Sequence, residues 1–216
     1  MIVVNFKTYK EATGYRAIEL ARVCKKIQDE TSVRIVVVPQ LADLRDCVET
    51  GVDCWVQHID AVDQGKNTGY VTRESVEEVG AKGTLLNHSE HKVTDEALTQ
   101  ILKETETLAF ETCVCAADAT EAQKWNAFKP NFILYEPPEL VGSPDKSVST
   151  EKPEIIDAVV KAVTQPVLVG AGVKNIEDVK VAVKLGAKGV GLASGFVLAT
   201  DPESMLRELV STFNRS

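Results

Sequence analysis

Apolar, β-branched segments alternate with segments of helical periodicity eight times along this chain of 216 residues. Residues 2–6 form a run typical of a buried strand, and residues 13–29 then place apolar side chains at the three- and four-residue spacing of a helix. The same pair recurs along the rest of the chain. The predicted strands are 2–6, 34–38, 54–57, 84–86, 111–115, 131–135, 167–169 and 189–192, and the predicted helices are 13–29, 41–49, 72–79, 94–107, 119–125, 153–163, 176–185 and 202–213.

This alternation predicts an α/β fold with a parallel sheet, because parallel neighbours need a crossover connection, usually a helix. The strands are continuously apolar, which is typical of a sheet covered on both faces. Gly80, Gly186 and the Gln165–Pro166 step each end a predicted helix just before the next strand. Eight units in this length predict a closed (β/α)₈ barrel, eight parallel strands ringed by helices, as a single domain over residues 1–216. An open doubly wound sheet is the alternative that the pattern leaves.

Charge and cysteine content narrow the classes of function. The 32 acidic and 24 basic residues give a net charge of -8, so the chain lacks the broad cationic field that attracts nucleic acid or an anionic membrane. The five cysteines form no CxxC pair and no histidine stands at zinc-finger spacing, which favours buried reduced thiols. The chain opens with Met1 and no basic-plus-apolar leader, and no apolar run is long enough to span a bilayer. We therefore expect a cytoplasmic protein without nucleic-acid or membrane partners.

Two polar residues follow the first apolar run. Asn5 and Lys7 share one face because side chains alternate along a strand, and Phe6 takes the other face. In a barrel these two residues lie at the C-terminal mouth, where active sites form. A lysine at a strand end is more often a solvated surface charge, but its pairing with Asn5 favours a functional role.

A histidine and a glutamate follow the fourth and sixth predicted strands. His88, one of only three histidines, precedes a helix whose N-terminus would favour the neutral imidazole. Glu136 stands between an apolar strand and Pro137–Pro138, which fix the outgoing chain. A lone histidine is more often structural and a glutamate at a strand end is usually exposed. Their positions at the barrel mouth favour a role in chemistry for both.

Two connections that follow strands, residues 58–71 and 136–152, are longer than most βα loops. In the second, an apolar tip at Leu140–Val141 lies between the prolines and the run 142–144 (GSP), a pattern that suits a lid over a ligand.

Glycine-rich turns follow the last two strands, at residues 170–172 and 191–195. Barrels often bind a phosphate at this position, against backbone N–H groups and the start of a short helix. Ser194 would open that helix, with residues 196–199 as its body.

Taken together, these motifs resemble the triosephosphate isomerase family. Residues 5–9 (NFKTY) are similar to its N-x-K motif, residues 87–92 (NHSEHK) to its G-H-S-E-R-R motif and residues 135–137 (YEP) to its Y-E-P motif. The turns at 170–172 and 193–194 are similar to the phosphate-binding turns of the short archaeal branch. The resemblance to the family covers essentially the whole chain. The departures are Asn87 for the first glycine, His91–Lys92 for the paired arginines, residues 138–141 for the tryptophan-containing lid, and Leu192 for a glycine.

The resemblance implies the TIM barrel fold and the interconversion of dihydroxyacetone phosphate and D-glyceraldehyde 3-phosphate in glycolysis and gluconeogenesis, with no cofactor and no metal. Glu136 would be the general base, and His88 would polarise the carbonyl and shuttle protons. Lys7 with Asn5 would stabilise developing negative charge, and Lys7 would also compensate the substrate's phosphate. A homo-oligomer is implied, a tetramer favoured over a dimer, with residues 58–71 as a contact. The implied substrate-binding residues are Asn5, Phe6, Lys7, Val141, Gly142, Gly172, Ala193 and Ser194.

Two rival functions stay open on the sequence. A metal-dependent barrel epimerase acting on another phosphorylated sugar would need further inward His and Asp side chains, for which His58 and Asp60 are candidates although they lie in the long loop after strand 3. A sugar-phosphate-binding protein without activity would not require a base opposite an electrophile.

Overall fold

A computed structural model describes residues 1–140, 147–151 and 153–213. The strands are β1 Ile2–Asn5, β2 Ile35–Val38, β3 Asp53–Val56, β4 Gly83–Leu86, β5 Glu111–Ala116, β6 Phe132–Tyr135, β7 Val167–Val169 and β8 Gly189–Leu192. The helices are α1 Tyr15–Thr31, α2 Leu44–Val48, α3 Arg73–Val79, α4 Asp95–Thr105, α5 Ala119–Asn126, α6 Val148–Glu151, α7 Pro153–Ala162, α8 Ile176–Lys184, α9 Ser194–Val197 and α10 Pro202–Val210.

The eight strands form a closed barrel in sequence order. Every neighbouring pair of strands is parallel. Strand β1 pairs on one edge with β2, where Val3 lies opposite Val36. On its other edge β1 pairs with β8, where Val3 lies opposite Gly191, and this pairing closes the barrel. Closure rules out the open doubly wound sheet and confirms the predicted (β/α)₈ barrel. Among the described helices, none combines the length and apolarity needed to cross a bilayer.

Alternation along the strands divides the core into two clusters. The outward side chains of β1, Ile2 and Val4, pack with Phe6 into the large cluster between sheet and helices. The inward side chains fill the barrel and comprise Val3, Val36, Val38, Trp55, Leu85, Cys113, Cys115, Leu134 and Leu168. Asn5 is the next inward residue after Val3, so it opens onto the C-terminal mouth of the barrel.

The opposite, N-terminal end of the barrel is closed by a charge cluster. The guanidinium of Arg34 donates to both carboxylate oxygens of Glu111, at 2.8 and 2.6 Å, and to Asp53 at 2.9 Å. The hydrogen bonds that Arg34 donates to Glu111 outweigh burial and raise the pKa of Arg34 further. These contacts stabilise the end of the barrel remote from the predicted site.

Local chemistry sets the helix ends. Gly80 ends α3 with a φ of 108°, which glycine adopts at little cost, and Pro202 opens α10. Polar N-caps open five of the helices and are Thr72, Thr94, Asp118, Asn175 and Asp201. The predicted helix 41–49 is divided into a 3₁₀ turn, Leu41–Asp43, and α2.

Candidate active site

A small cavity of about 40 Å³ lies at the C-terminal mouth, on the barrel axis. It shares Asn5, Lys7 and His88 with a neighbouring cleft of about 350 Å³. The predicted site residues that line the small cavity are Asn5, Lys7, His88, Glu136, Gly172, Ala193 and Ser194. The side chain of Phe6 packs in the outer cluster instead, and Val141 and Gly142 lie outside the described residues.

Asn5 and Lys7 form a turn just beyond β1. Lys7 has a φ of 45°, and its backbone N–H donates to Oδ1 of Asn5 at 2.9 Å, which holds this left-handed conformation. Its ammonium lies 2.6 Å from Oε1 of Glu90, and its carbonyl accepts from the side-chain amide of Gln57 at 2.9 Å. Asn5 therefore positions the lysine, and Glu90 compensates the lysine charge.

His88 is buried, with 7% of its surface exposed. Its Nδ1 accepts the backbone N–H of Glu90 at 3.2 Å, so in the neutral ring the proton resides on Nε2. That nitrogen points into the cavity and lies 3.2 Å from Oε2 of Glu136. The expected helix N-terminus does not adjoin His88, because α4 begins at Asp95; the turn at Glu90 sets the tautomer instead.

Glu136 follows β6 directly, and its backbone N–H donates to the carbonyl of Ala116 at 3.0 Å. Its Oε2 is buried and, despite the proximity of His88, forms no hydrogen bond within the part of the chain that the structure describes. Gly170 lies against the carboxylate so closely that a Cβ there would be 2.3 Å from Oε1. A buried carboxylate oxygen beside a ring nitrogen that carries a proton can accept a proton from a ligand bound in this cavity.

Comparison with known proteins decides the family. The family model described as triosephosphate isomerase matches residues 1–211. This chain belongs to the triosephosphate isomerase family. Archaeal triosephosphate isomerases are similar to it over nearly their whole length: the protein of Methanopyrus kandleri is 44% identical, covering 97% of this chain and 96% of the relative, that of Methanothermus fervidus 42% (98% and 97%), and that of Methanocaldococcus jannaschii 39% (97% and 98%). The chain is thus an isomerase of this family.

The departure from the family motif before His88 has a structural explanation. Asn87 is buried in a left-handed conformation, φ 59°, which asparagine tolerates better than most residues. Its side-chain amide donates to the carbonyl of Cys115 at 3.1 Å and to Oε1 of Glu121 at 2.8 Å. These two bonds hold the chain that carries His88 against β5 and α5.

Glu121 links that chain to a second point. Besides Asn87, its carboxylate accepts from the ammonium of Lys92 at 2.9 Å and from the backbone N–H of Ala117 at 2.7 Å. Burial alone would raise the pKa of Glu121, but the three hydrogen bonds outweigh it and hold the pKa below its ordinary value. Lys92, in an arginine position of the family motif, thus forms an ion pair.

The rival metal ligands have structural partners. Nε2 of His58 lies 3.2 Å from Oδ1 of Asp60, and the other Asp60 oxygen accepts the backbone N–H of Val71 at 2.7 Å, closing the long loop. The ring of His58 also packs against the ring of His91, with the two ring centroids 4.4 Å apart. Within the described ranges, no group of three or more His, Cys, Asp or Glu side chains is arranged to hold a metal ion.

The turns after β7 and β8 form the remaining wall of the cavity. Ala171 and Gly172 both have positive φ, 62° and 82°, and the carbonyl of Ala171 accepts the backbone N–H of Val148 at 3.2 Å. Ser194 opens α9 as predicted. Because the first amides of any helix lack intrahelical acceptors, those of Ser194 and Gly195 can donate to a ligand.

Proposed function

We propose that this isomerase interconverts dihydroxyacetone phosphate and D-glyceraldehyde 3-phosphate by proton transfer through an enediolate, as a step of glycolysis and gluconeogenesis. The observation that carries the proposal is the pair formed by Glu136 and His88. Glu136 presents a buried carboxylate oxygen, Oε2, that forms no hydrogen bond with a described residue. Nε2 of His88 lies 3.2 Å from that oxygen in the same cavity. A binding protein has no use for such a pair.

In the proposed reaction, Glu136 takes a proton from carbon 1 of dihydroxyacetone phosphate while the electron pair moves to the carbonyl oxygen on carbon 2. His88 donates the proton on Nε2 to that oxygen and takes the hydroxyl proton of carbon 1. Glu136 then returns its proton to carbon 2, which leaves the aldehyde at carbon 1. Since Nε2 of His88 and Oε2 of Glu136 lie only 3.2 Å apart, no substrate atom fits between them, and Glu136 must turn away from His88 when substrate enters.

Charge on the enediolate oxygens needs a fixed cation nearby, and Lys7 is the proposed one. Its side chain is 13% exposed and its ammonium is already bonded to Glu90, so its position is fixed before substrate arrives. Asn5 acts through the Lys7 turn. For the phosphate, we propose backbone N–H groups of Gly172, Ala193 and Ser194; Val141 and Gly142 stay predictions, and a role for Phe6 is restricted to its backbone.

Substitution of the two central residues tests the mechanism. Glu136→Gln keeps shape but cannot take up a proton, so kcat should fall by roughly a hundredfold or more while 2-phosphoglycolate still binds. His88→Gln should lower kcat with a smaller change in KM, because its interaction strengthens as charge develops. Exposed Glu208→Gln is the control for loss of a carboxylate. Near-normal turnover in purified Glu136→Gln would remove the base from the proposal.

We also propose a homo-oligomer in the cytoplasm, with a tetramer favoured over a dimer. Residues 63–70 of the long loop are exposed, and Tyr70 presents 56% of its surface, which suits a contact between subunits. The five cysteines are unpaired and buried, as fits a reducing compartment. Sedimentation equilibrium should give a mass of four chains, and a monomer at micromolar concentration would contradict the assembly.

A further inference from the structure

A second lysine lies at the phosphate end of the cavity. Lys174 follows the turn after β7 and lines the cavity together with Gly172, Ser194 and Gly195. Although the residue as a whole is half-buried, its Nζ atom is buried and has no hydrogen-bond partner among residues 1–140, 147–151 and 153–213. Burying an ammonium without a partner costs free energy, so natural proteins seldom do it unless a ligand or another group compensates the charge.

The buried carboxylate of Asp178 does not compensate the ammonium of Lys174. Asp178 is buried, and its Oδ2 accepts the backbone N–H groups of Lys174 and Asn175 at 3.0 and 3.4 Å. Its Oδ1 accepts the hydroxyl of Ser147. This network fixes the backbone of Lys174 at the start of α8 but leaves the ammonium without a counter-charge.

The two cations that line the cavity therefore differ. The ammonium of Lys7 bonds to Glu90 at 2.6 Å, whereas the ammonium of Lys174 has neither a hydrogen bond nor an ion pair with any described residue. A triose phosphate brings a dianionic phosphate to the wall formed by Gly172 and Ser194, on which Lys174 also lies.

We propose that Lys174 is a phosphate-binding residue that supplies a side-chain cation to the substrate's phosphoryl group, in addition to the backbone N–H groups. The inference rests on the proposed function, because it takes the wall at Gly172 and Ser194 as the phosphate end. It gives the phosphate a second cation besides Lys7, which also stabilises the enediolate.

Binding of inorganic phosphate and of 2-phosphoglycolate to the full-length enzyme, measured by titration calorimetry, tests the assignment. Lys174→Met should weaken both by roughly ten- to a hundredfold, the range for hydrogen bonds to charged groups. Lys174→Arg should recover part of the loss. Lys180→Gln removes the same charge from the exposed face of α8, where Lys180 pairs with Glu177, and should leave both affinities within about twofold.

Two further readouts separate binding from structure. Thermal unfolding of Lys174→Met without ligand should occur at the wild-type temperature or above it, because the substitution removes a buried unpaired charge. The ratio of kcat/KM for D-glyceraldehyde 3-phosphate to that for D-glyceraldehyde should fall by about tenfold or more. Unchanged phosphate affinity, or a loss matched by a lower melting temperature that Lys174→Arg does not recover, would overturn the assignment. If the wild type binds phosphate but isomerises neither triose phosphate, the proposed function fails instead.

Discussion

At the scale of single residues, the site depends on one close contact that leaves no room for a methyl group. Gly170 lies beneath the carboxylate of Glu136, and a Cβ there would be 2.3 Å from Oε1 and 2.5 Å from Cγ. The backbone of Gly170 does not have positive φ, so alanine is compatible with the chain itself. The space for the base is therefore the reason for glycine at this position.

Gly170→Ala should displace the carboxylate of Glu136 and lower kcat by roughly a hundredfold, the scale of a misplacement of about 1 Å, in a protein that still folds. Steady-state kinetics together with far-UV circular dichroism would measure both effects. A double-mutant cycle with Glu136→Asp provides the control, because the shorter acid should make the alanine less harmful. Wild-type kcat in Gly170→Ala would show that the base tolerates displacement.

Side-chain alternation was sufficient to predict the residues that point into the barrel mouth. Asn5 and Lys7 line one cavity, although Lys7 does so from a left-handed turn beyond β1 and not as a strand residue. Gly170 and Glu121 were not predicted as residues that hold Glu136 and the segment of His88, because their contacts join segments distant in sequence. Lys174 was also missed, since a lysine after a turn carries no signal of burial.

At the scale of elements, the segment that carries His88 is held by the Glu121 network with Asn87, Lys92 and Ala117. The pKa of Glu121 is below its ordinary value, so the folded state binds the proton less readily than the unfolded state. The stabilisation is therefore fully present at pH values above the ordinary glutamate pKa, about 4.3. It is lost as the pH falls through the lower pKa of the folded state.

Melting temperatures measured from pH 7 down to pH 3 should thus separate the wild type from Glu121→Gln. The variant should melt lower at pH 7, because it loses the ion pair with Lys92 and the carboxylate that accepts from Ala117, and the difference should shrink on acidification. Glu208→Gln, on an exposed helix face, should follow the wild type throughout. A difference that stays constant with pH would mean that the charge of Glu121 contributes nothing.

Periodicity predicted all eight strand–helix units, but it did not predict short segments whose form depends on packing. Residues 41–49 have helical spacing, yet they begin as a 3₁₀ turn, and α2 starts only at Leu44. The one-turn helix α6 was also not predicted; its Ser149 hydroxyl donates to the carbonyl of Asp178 at 2.9 Å. Contacts made after the chain has folded, rather than local propensity, stabilise such a turn.

At the scale of the whole molecule, the closed barrel protects every thiol. Burial raises the pKa of Cys47 to about 12, and it also raises the pKa values of the other four thiols. The negative charge of Glu136 adds to this effect at Cys113 and Cys115 in the barrel interior. Because only the thiolate reacts, Ellman's reagent at pH 8 should modify the native protein no faster than it unfolds. It should modify all five cysteines at once in denaturant. One rapidly reacting thiol in the native protein would contradict this view of the core.

The most direct measurement is isomerisation itself, by enzyme freed of metals with EDTA. Dihydroxyacetone phosphate and D-glyceraldehyde 3-phosphate are supplied in turn, and each product is detected by a coupled assay, with Glu136→Gln as the matched variant. We expect both directions to proceed to the same equilibrium ratio in the wild type and to be slowed together, by roughly a hundredfold or more, in the variant. Activity that requires an added metal, or equal rates in the two proteins, would contradict proton transfer by Glu136 and His88.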